Sequence, residues 1–165
     1  MSYSIPQLNQ MSQEEFVAAL GAIFEQTPAI AHQAWEKRPF ADVASLHQQM
    51  VDVVKAMSRE EQLALIRVHP DLGSKAKMAE ASVQEQSGVG LDRLSSAEYE
   101  RFAVLNRMYS EKFGFPLIVA VRNHTKDSIL KAFERRLENT VDQELEQALT
   151  EIFQIAQFRL ERDVM

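Results

Sequence analysis

One histidine of this 165-residue chain stands where a helical pattern ends and a turn begins. His69 precedes Pro70, and a residue before proline is disfavoured in helical geometry. An imidazole has neutral and charged forms that are both accessible near pH 7, so it can transfer a proton. The same segment, Arg-Val-His-Pro-Asp-Leu-Gly, equally fits a plain turn in which His69 interacts with the helix dipole. His69 is therefore a candidate acid, with a structural role as the alternative.

A second polar group follows a short distance along the chain. Ser82, Glu85 and Gln86 have the spacing i, i+3 and i+4, so on a helix they share one face. A hydroxyl, a carboxylate and an amide together could bind a ligand rich in N–H and C=O groups. The spacing also fits a capping box, in which Ser82 and Glu85 bond the free amides at a helix start. The pattern alone favours the capping box.

A third candidate is an apolar run between an aromatic motif and an arginine. Phe-Gly-Phe-Pro occupies positions 113–116, and the run that follows consists of Leu117, Ile118, Val119, Ala120 and Val121. The guanidinium of Arg122 comes next and suits a carboxylate ligand. The alternative is a helix C-cap, a core segment and a surface arginine. Periodicity does not decide whether the run is extended or the buried start of a helix.

Several kinds of catalytic site are excluded or disfavoured. The chain contains no cysteine, which excludes disulfides, thiolate catalysis and iron–sulfur clusters. Its four histidines include no i, i+4 pair, and neither a phosphate-binding loop nor a serine nucleophile elbow is present. We therefore expect a site that uses neither a metal nor a cofactor.

Helix signals recur along the whole chain and predict the elements that position these residues. Capping patterns begin at Ser12, Thr27, Ser58, Ser95 and Thr125, and apolar residues three or four apart follow them. No strand alternation is sustained, and no internal repeat or flexible linker divides the chain. The sequence predicts an all-α, single-domain compact bundle of about seven to nine helices that spans residues 1–165.

Composition narrows the class of protein further. Hydrophobic residues make up 45% and charged residues 25%, as in a globular domain. The net charge of −6 disfavours nucleic acid or an anionic membrane as partner. The longest apolar run, residues 117–121, is far too short to span a membrane. Because neither end resembles a targeting signal, we expect a cytoplasmic protein.

Four motifs together carry a family resemblance. They are Trp-x-x-Arg-Pro-Phe at 35–40, His-Pro-Asp-Leu-Gly at 69–73, Ser-x-x-Glu-Gln at 82–86 and Phe-Gly-Phe-Pro at 113–116. In this order the chain resembles the 2-oxo-4-hydroxy-4-carboxy-5-ureidoimidazoline (OHCU) decarboxylase family over essentially its whole length. The resemblance implies an all-α homodimeric enzyme of urate breakdown that converts OHCU to (S)-allantoin and CO₂ without a cofactor.

The resemblance also implies roles for the candidate residues. His69 matches the family's catalytic proton donor, and we expect Glu85 to hold the imidazole or the substrate hydroxyl in place. Pro70 would line the pocket, while Ser82, Glu85 and Gln86 match the polar residues that bind the ureidoimidazoline substrate. Residues 117–121 match a stretch that meets the substrate through its backbone. Arg122 follows that stretch where relatives often carry a basic residue.

The reaction chemistry is compatible with a chain that lacks cofactor motifs. The imidazoline C=N and carbonyl groups of the substrate can accept the electron pair left by CO₂. The protein must then orient the carboxylate and deliver one proton to one face. The main alternative is a non-catalytic all-α small-ligand-binding or protein-interaction module. A lyase or hydrolase acting on another small anion would use the same site residues.

Overall fold

The structure is a computed structural model that describes residues 2–74 and 80–165. The described residues form nine α-helices: α1 (Ile5–Gln10), α2 (Gln13–Leu20), α3 (Ala29–Ala34), α4 (Val43–Lys55), α5 (Arg59–Arg67), α6 (Glu80–Gly88), α7 (Ser96–Phe113), α8 (Lys126–Arg136) and α9 (Val141–Asp163). Two short 3₁₀ turns lie at Trp35–Lys37 and Val121–Asn123. Within these ranges the only β pairing is one bridge between Tyr3 and Val164. The prediction of an all-α fold with seven to nine helices is confirmed.

Local capping sets where several of these helices begin. The predicted caps are confirmed at Ser12, Ser58, Ser95 and Thr125. Each side-chain oxygen accepts a hydrogen bond from the amide three residues later, so it satisfies a donor that the helix cannot. The cap predicted at Thr27 is wrong, because its hydroxyl donates to the carbonyl of Glu25 at 2.7 Å. Helix α3 therefore begins after Pro28 without a side-chain cap.

The chain divides into two compact units. The first comprises the residues up to Leu65 together with Phe153–Met165, and the second comprises Ile66–Ile152. The core of the first unit includes stacked rings of Phe16 and Phe40, whose centroids lie 5.9 Å apart. No helix in the described part of the chain has both the length and the apolar character needed to cross a membrane.

The second unit contains all of the predicted site residues. Its core is built around Tyr109, whose ring lies 4.5 Å from that of Phe113 and 6.0 Å from that of Phe115, between centroids. Between these two phenylalanines, Gly114 ends α7 with a φ of +79°, a left-handed conformation that favours glycine. The chain therefore reverses sharply after α7 and enters the apolar run.

Candidate active site

The His69 loop, residues 69–73, directly follows α5. The helix ends at Arg67, and His69 lies on the loop with only 8% of its surface exposed. At the end of the loop, Gly73 has a φ of +70°, and a Cβ there would come within 2.8 Å of a methyl carbon of Leu94. Another residue at this position would be strained. The predicted helix exit at His69 is confirmed, and the loop holds the imidazole in a largely buried position.

Two neutral side chains hold the backbone of the His69 loop. Gln86 on α6 accepts a hydrogen bond from the amide of Gly73 at 3.0 Å, and its nitrogen donates to the carbonyl of Asp71 at 3.4 Å. Asn106 on α7 donates to the carbonyl of Leu72 at 2.8 Å. Both amide side chains are buried. The loop is therefore fixed at its main chain by two different helices.

Helix α6 carries the predicted polar face. Ser82 and Gln86 are 5% and 7% exposed, and Glu85 is half-buried, so this face points into the protein. The capping-box interpretation of Ser82 is wrong, because α6 already includes Glu80 and Ser82 lies inside the helix. A buried hydroxyl and a half-buried carboxylate within one turn of each other are typical of a small-ligand pocket.

The apolar segment, residues 117–121, is buried throughout. It is not the start of a helix, since no helix or strand is assigned until the 3₁₀ turn Val121–Asn123. Ala120, just before that turn, has an extended backbone with φ −76° and ψ 93°. Of the two alternatives for residues 117–121, an extended segment or the buried start of a helix, the structure therefore excludes the helix.

Side chains from two other helices hydrogen-bond to the main chain of the apolar segment. Arg136 on α8 donates to the carbonyl of Ile118, and Glu151 on α9 accepts from the amide of Ala120 at 3.2 Å. Within the described ranges, the amides of Leu117, Ile118, Val119 and Val121 have no hydrogen-bond partner. Because a buried amide needs a partner, such N–H groups can donate to a bound ligand.

Helix α6 connects the His69 loop with the apolar segment. Its Gln86 bonds the loop, and Cα atoms of the helix approach those of the turn Val121–Asn123 to within 8 Å. Arg122 lies on that turn and is exposed. The three predicted parts of the site are therefore brought together around one helix.

The His69 loop also carries an acidic residue, Asp71. Burial raises the pKa of the Asp71 carboxyl, so this group holds its proton to a higher pH than an ordinary aspartate does. Residues 2–74 and 80–165 contain no cluster of three or more His, Cys, Asp or Glu side chains that could bind a metal.

A cavity of about 490 Å³ opens beside the end of α6. Its lining consists of Gly88, Val89, Gly90, Arg93, His124, Thr125 and Lys126. The ammonium of Lys126 lies 3.2 Å from the carboxylate of Glu98, which partly neutralises the basic lining. None of the predicted site residues lines this cavity, so it adjoins the candidate site without being part of it.

Comparison with known proteins decides the family. The OHCU decarboxylase family model matches residues 9–161. A protein of Halalkalicoccus jeotgali named 2-oxo-4-hydroxy-4-carboxy-5-ureidoimidazoline decarboxylase is 41% identical over 158 residues, which cover 96% of this chain and 90% of that protein. The chain belongs to the OHCU decarboxylase family. The resemblance stated from the four motifs is therefore confirmed.

Other members of the family differ in length. The uric acid degradation bifunctional protein PucL of Bacillus subtilis is 45% identical over 96% of this chain, which spans 32% of that protein. The structure of an (S)-allantoin synthase matches with a TM-score of 0.81 and 29% identity over 98% of this chain and 54% of that chain. An OHCU decarboxylase structure determined in the presence of (S)-allantoin matches with a TM-score of 0.69 and 23% identity. The match covers 92% of this chain and 97% of that chain, and it supports the fold.

Sequence reasoning assigned no role to four polar residues that bond the loop, the apolar segment or each other around the candidate site. They are Asn106, Arg136, Glu144 and Glu151. A signal was present for Glu144, which precedes the buried Ala148 and Ile152 at four-residue intervals and so lies on the buried face of α9. A charged residue on such a face needs a partner, because burying an unpaired charge is costly.

Proposed function

We propose that this chain is an OHCU decarboxylase that forms (S)-allantoin and CO₂ without a cofactor. The observation that carries the proposal is a largely buried histidine on a loop whose main chain is held by Gln86 and Asn106, next to the polar face of α6. Membership of the family supplies the substrate class. This decarboxylation needs a proton donor in a fixed position and a small polar pocket that binds the substrate beside it.

The proposed reaction breaks one carbon–carbon bond and makes one carbon–hydrogen bond. CO₂ leaves the ring carbon that bears the hydroxyl, and the electron pair passes into the neighbouring ring C=N bond. One proton then adds to the carbon that carries the ureido group, while the hydroxyl proton moves to the ring nitrogen and the hydroxyl becomes the carbonyl of allantoin. Because the substrate accepts its own electron pair, no external electron sink is required.

His69 supplies the proton in this proposal. A proton from water can reach either face of the planar intermediate and would give a racemic product, whereas a fixed imidazole reaches only one face. The 8% exposure of His69 and the hydrogen bonds on the following residues support such a fixed position. Positioned general acids typically contribute about 100- to 10,000-fold to a rate.

The polar residues of α6 receive the substrate. We assign Ser82 and Glu85 to contacts with its ureido and hydroxyl groups, and Glu85 also to orienting the imidazole of His69. The amide of Gln86 already bonds Gly73 and Asp71, so the contact of Gln86 with substrate would use its second N–H. Pro70, next to His69, lines the pocket.

The apolar segment and Arg122 stabilise the negative charge that develops on the ring. The amide of Ala120 is already bonded to Glu151, so other amides of the segment, that of Val119 first, are the donors in this proposal. Main-chain donors held in place before the reaction cost no reorganisation during it. Leu117 and Val121, both buried, complete the apolar wall around these donors. The guanidinium of Arg122 supplies a positive charge for the substrate carboxylate.

We further propose that residues 1–165 act as one OHCU decarboxylase-like domain, which forms a homodimer in the cytoplasm. The family match over residues 9–161 includes parts of both compact units and supports a single functional domain. The homodimer and the compartment rest on the resemblance to the family. Light scattering on the purified protein should give twice the mass of 18.8 kDa, whereas a monomer mass would contradict the dimer.

The proposed function is tested by supplying freshly generated OHCU and recording circular dichroism. We expect a rapid signal of one sign from (S)-allantoin, compared with no net signal from the racemic product of spontaneous decay. A time course identical to that without protein would contradict the proposal. Thermal stabilisation by ureido-imidazoles without turnover would instead favour the small-ligand-binding module.

A further inference from the structure

Two charged side chains from different helices hold the main chain of the apolar segment. Arg136 on α8 bonds the carbonyl of Ile118, and Glu151 on α9 bonds the amide of Ala120. We infer that Arg136 and Glu151 are positioning residues, which fix these two groups so that the amide of Val119 meets the substrate. The inference rests on the proposed function, in which the apolar segment contacts OHCU.

The geometry of the peptide group supports this inference. The peptide bond between Ile118 and Val119 is trans, so its C=O and N–H groups point in opposite directions. The bond from Arg136 to the carbonyl of Ile118 therefore fixes the direction of the Val119 amide, and the bond from Glu151 to the amide of Ala120 fixes the next peptide group. The amide of Val119 has no hydrogen-bond partner within the described residues.

Arg136 belongs to a buried network. Its Nε donates to Glu144 at 2.7 Å, and the fully buried Glu144 also accepts hydrogen bonds from Asn139 at 2.8 Å and from the hydroxyl of Tyr109. Burial, together with the bond to Glu144, raises the pKa of Tyr109, so its hydroxyl remains a donor. This network fixes the direction in which the guanidinium points at Ile118.

The network contributes little to the free energy of folding. A buried ion pair often stabilises a fold no better than apolar residues of the same shape, because both charges lose their hydration. In addition, the Nη2 atom of Arg136 is one of two buried side-chain polar atoms without a hydrogen-bond partner in the described part of the chain. Such atoms are rare in folded proteins and need an explanation. The position that Arg136 imposes on Ile118 provides one.

The first test removes the contact with Ala120. Glu151→Ala deletes the acceptor, and Glu146→Ala, at an exposed glutamate of the same helix, is the matched control. We expect a KM for OHCU about three- to tenfold higher in Glu151→Ala only, with melting temperatures alike, because a small displacement at the site weakens substrate binding. Glu151→Gln keeps a carbonyl acceptor and should restore most of the affinity.

The second test changes the contact with Ile118. Arg136→Lys keeps the charge that faces Glu144 but lacks the planar fork that reaches Glu144 and Ile118 together. Arg135→Lys, at an exposed arginine of the same helix, is the matched control. We expect a KM about tenfold higher in Arg136→Lys and a KM near that of wild type in Arg135→Lys.

Amide hydrogen exchange separates failure of this inference from failure of the proposed function. In the absence of substrate, exchange over residues 117–121 should be faster in Glu151→Ala and Arg136→Lys and unchanged in both controls. Wild-type exchange together with wild-type KM in Glu151→Ala would overturn the inference, even if Arg136→Lys failed to fold. A wild-type protein that does not convert OHCU would overturn the proposed function, and the role in substrate positioning with it.

Discussion

The His69 loop and the apolar segment are both irregular pieces of main chain, yet they are held in opposite ways. The loop is held by the neutral amides of Gln86 and Asn106. The segment is held by the charged side chains of Arg136 and Glu151. All of these bonds lie within the compact unit Ile66–Ile152.

The difference follows from what each piece contributes to the proposed site. The His69 loop presents a titratable group beside Asp71 and its proposed partner Glu85, and the amide side chains that hold the main chain of the loop add no further charge to these surroundings. The apolar segment presents only main-chain dipoles, which do not titrate. Charged residues can therefore hold the segment firmly without disturbing a proton transfer.

Both regions also contain a buried polar atom without a partner. These atoms are Oδ1 of Asn106 and Nη2 of Arg136, the two such side-chain atoms found in residues 2–74 and 80–165. Leaving a buried polar atom unbonded costs about 1–3 kcal/mol. Both unbonded atoms therefore belong to residues that position the candidate active site. At these residues, the position of the main chain matters more than the stability that a further hydrogen bond would add.

The largest predicted effect is on His69 itself. His69→Asn removes the proposed acid while it retains a polar side chain of similar size, so turnover of OHCU should fall about 100- to 10,000-fold. Polarimetry of the product and the melting temperature would be measured on the same sample. A folded variant that still produces optically active allantoin at the wild-type rate would show that the loop does not carry the chemistry.

A smaller effect is expected when the loop loses its contact with α6. Gln86→Met deletes the bonds to Gly73 and Asp71 and should lower kcat/KM about 10- to 100-fold, since displacement by about 1 Å can cost 100-fold. Gln84→Met, at an exposed position of the same helix, is the control. Equal activity of the two variants would mean that the loop is held without Gln86.

Asn106 tests whether neutrality at the loop matters. Asn106→Asp places a carboxylate beside the loop, so it should raise the pKa of His69 and move the kcat/KM–pH profile to higher pH. Asn106→Leu removes the same bond to Leu72 without adding charge, so it should lower activity several-fold and leave the profile in place. Identical profiles for the two variants would contradict the distinction between neutral and charged contacts.

The smallest predicted effect lies outside both regions, at Glu98 on α7. Hydrogen bonds with Ser95 and the ammonium of Lys126 hold the pKa of Glu98 below its ordinary value of 4.5. Because the folded-state pKa is lowered, this stabilisation is present above pH 4.5 and is lost as the pH falls through the lower folded-state value. Glu98→Gln should therefore show a slightly shallower fall of melting temperature in acid than wild type. An unchanged acid dependence would contradict the assigned cause.

Much of the fold was predictable from the sequence because its signals are local. The caps at Ser12, Ser58, Ser95 and Thr125 join residues three positions apart, and such bonds form wherever the pattern occurs. The exception, Thr27, had a nearby carbonyl that competed for its hydroxyl. The family was predictable from the order of the four motifs, and the family match confirms it, whereas the roles of the candidate site residues stay predictions.

Only the tertiary structure decided what holds those candidates in place. Gln86 bonds a residue 13 positions away, Arg136 one at 18, Glu151 one at 31 and Asn106 one at 34. No periodicity encodes these pairs, because each depends on how separate helices pack. The sequence by itself determined where four of the helices begin and which residues could do chemistry. Packing determined that neutral side chains hold the histidine loop and charged ones hold the backbone donors.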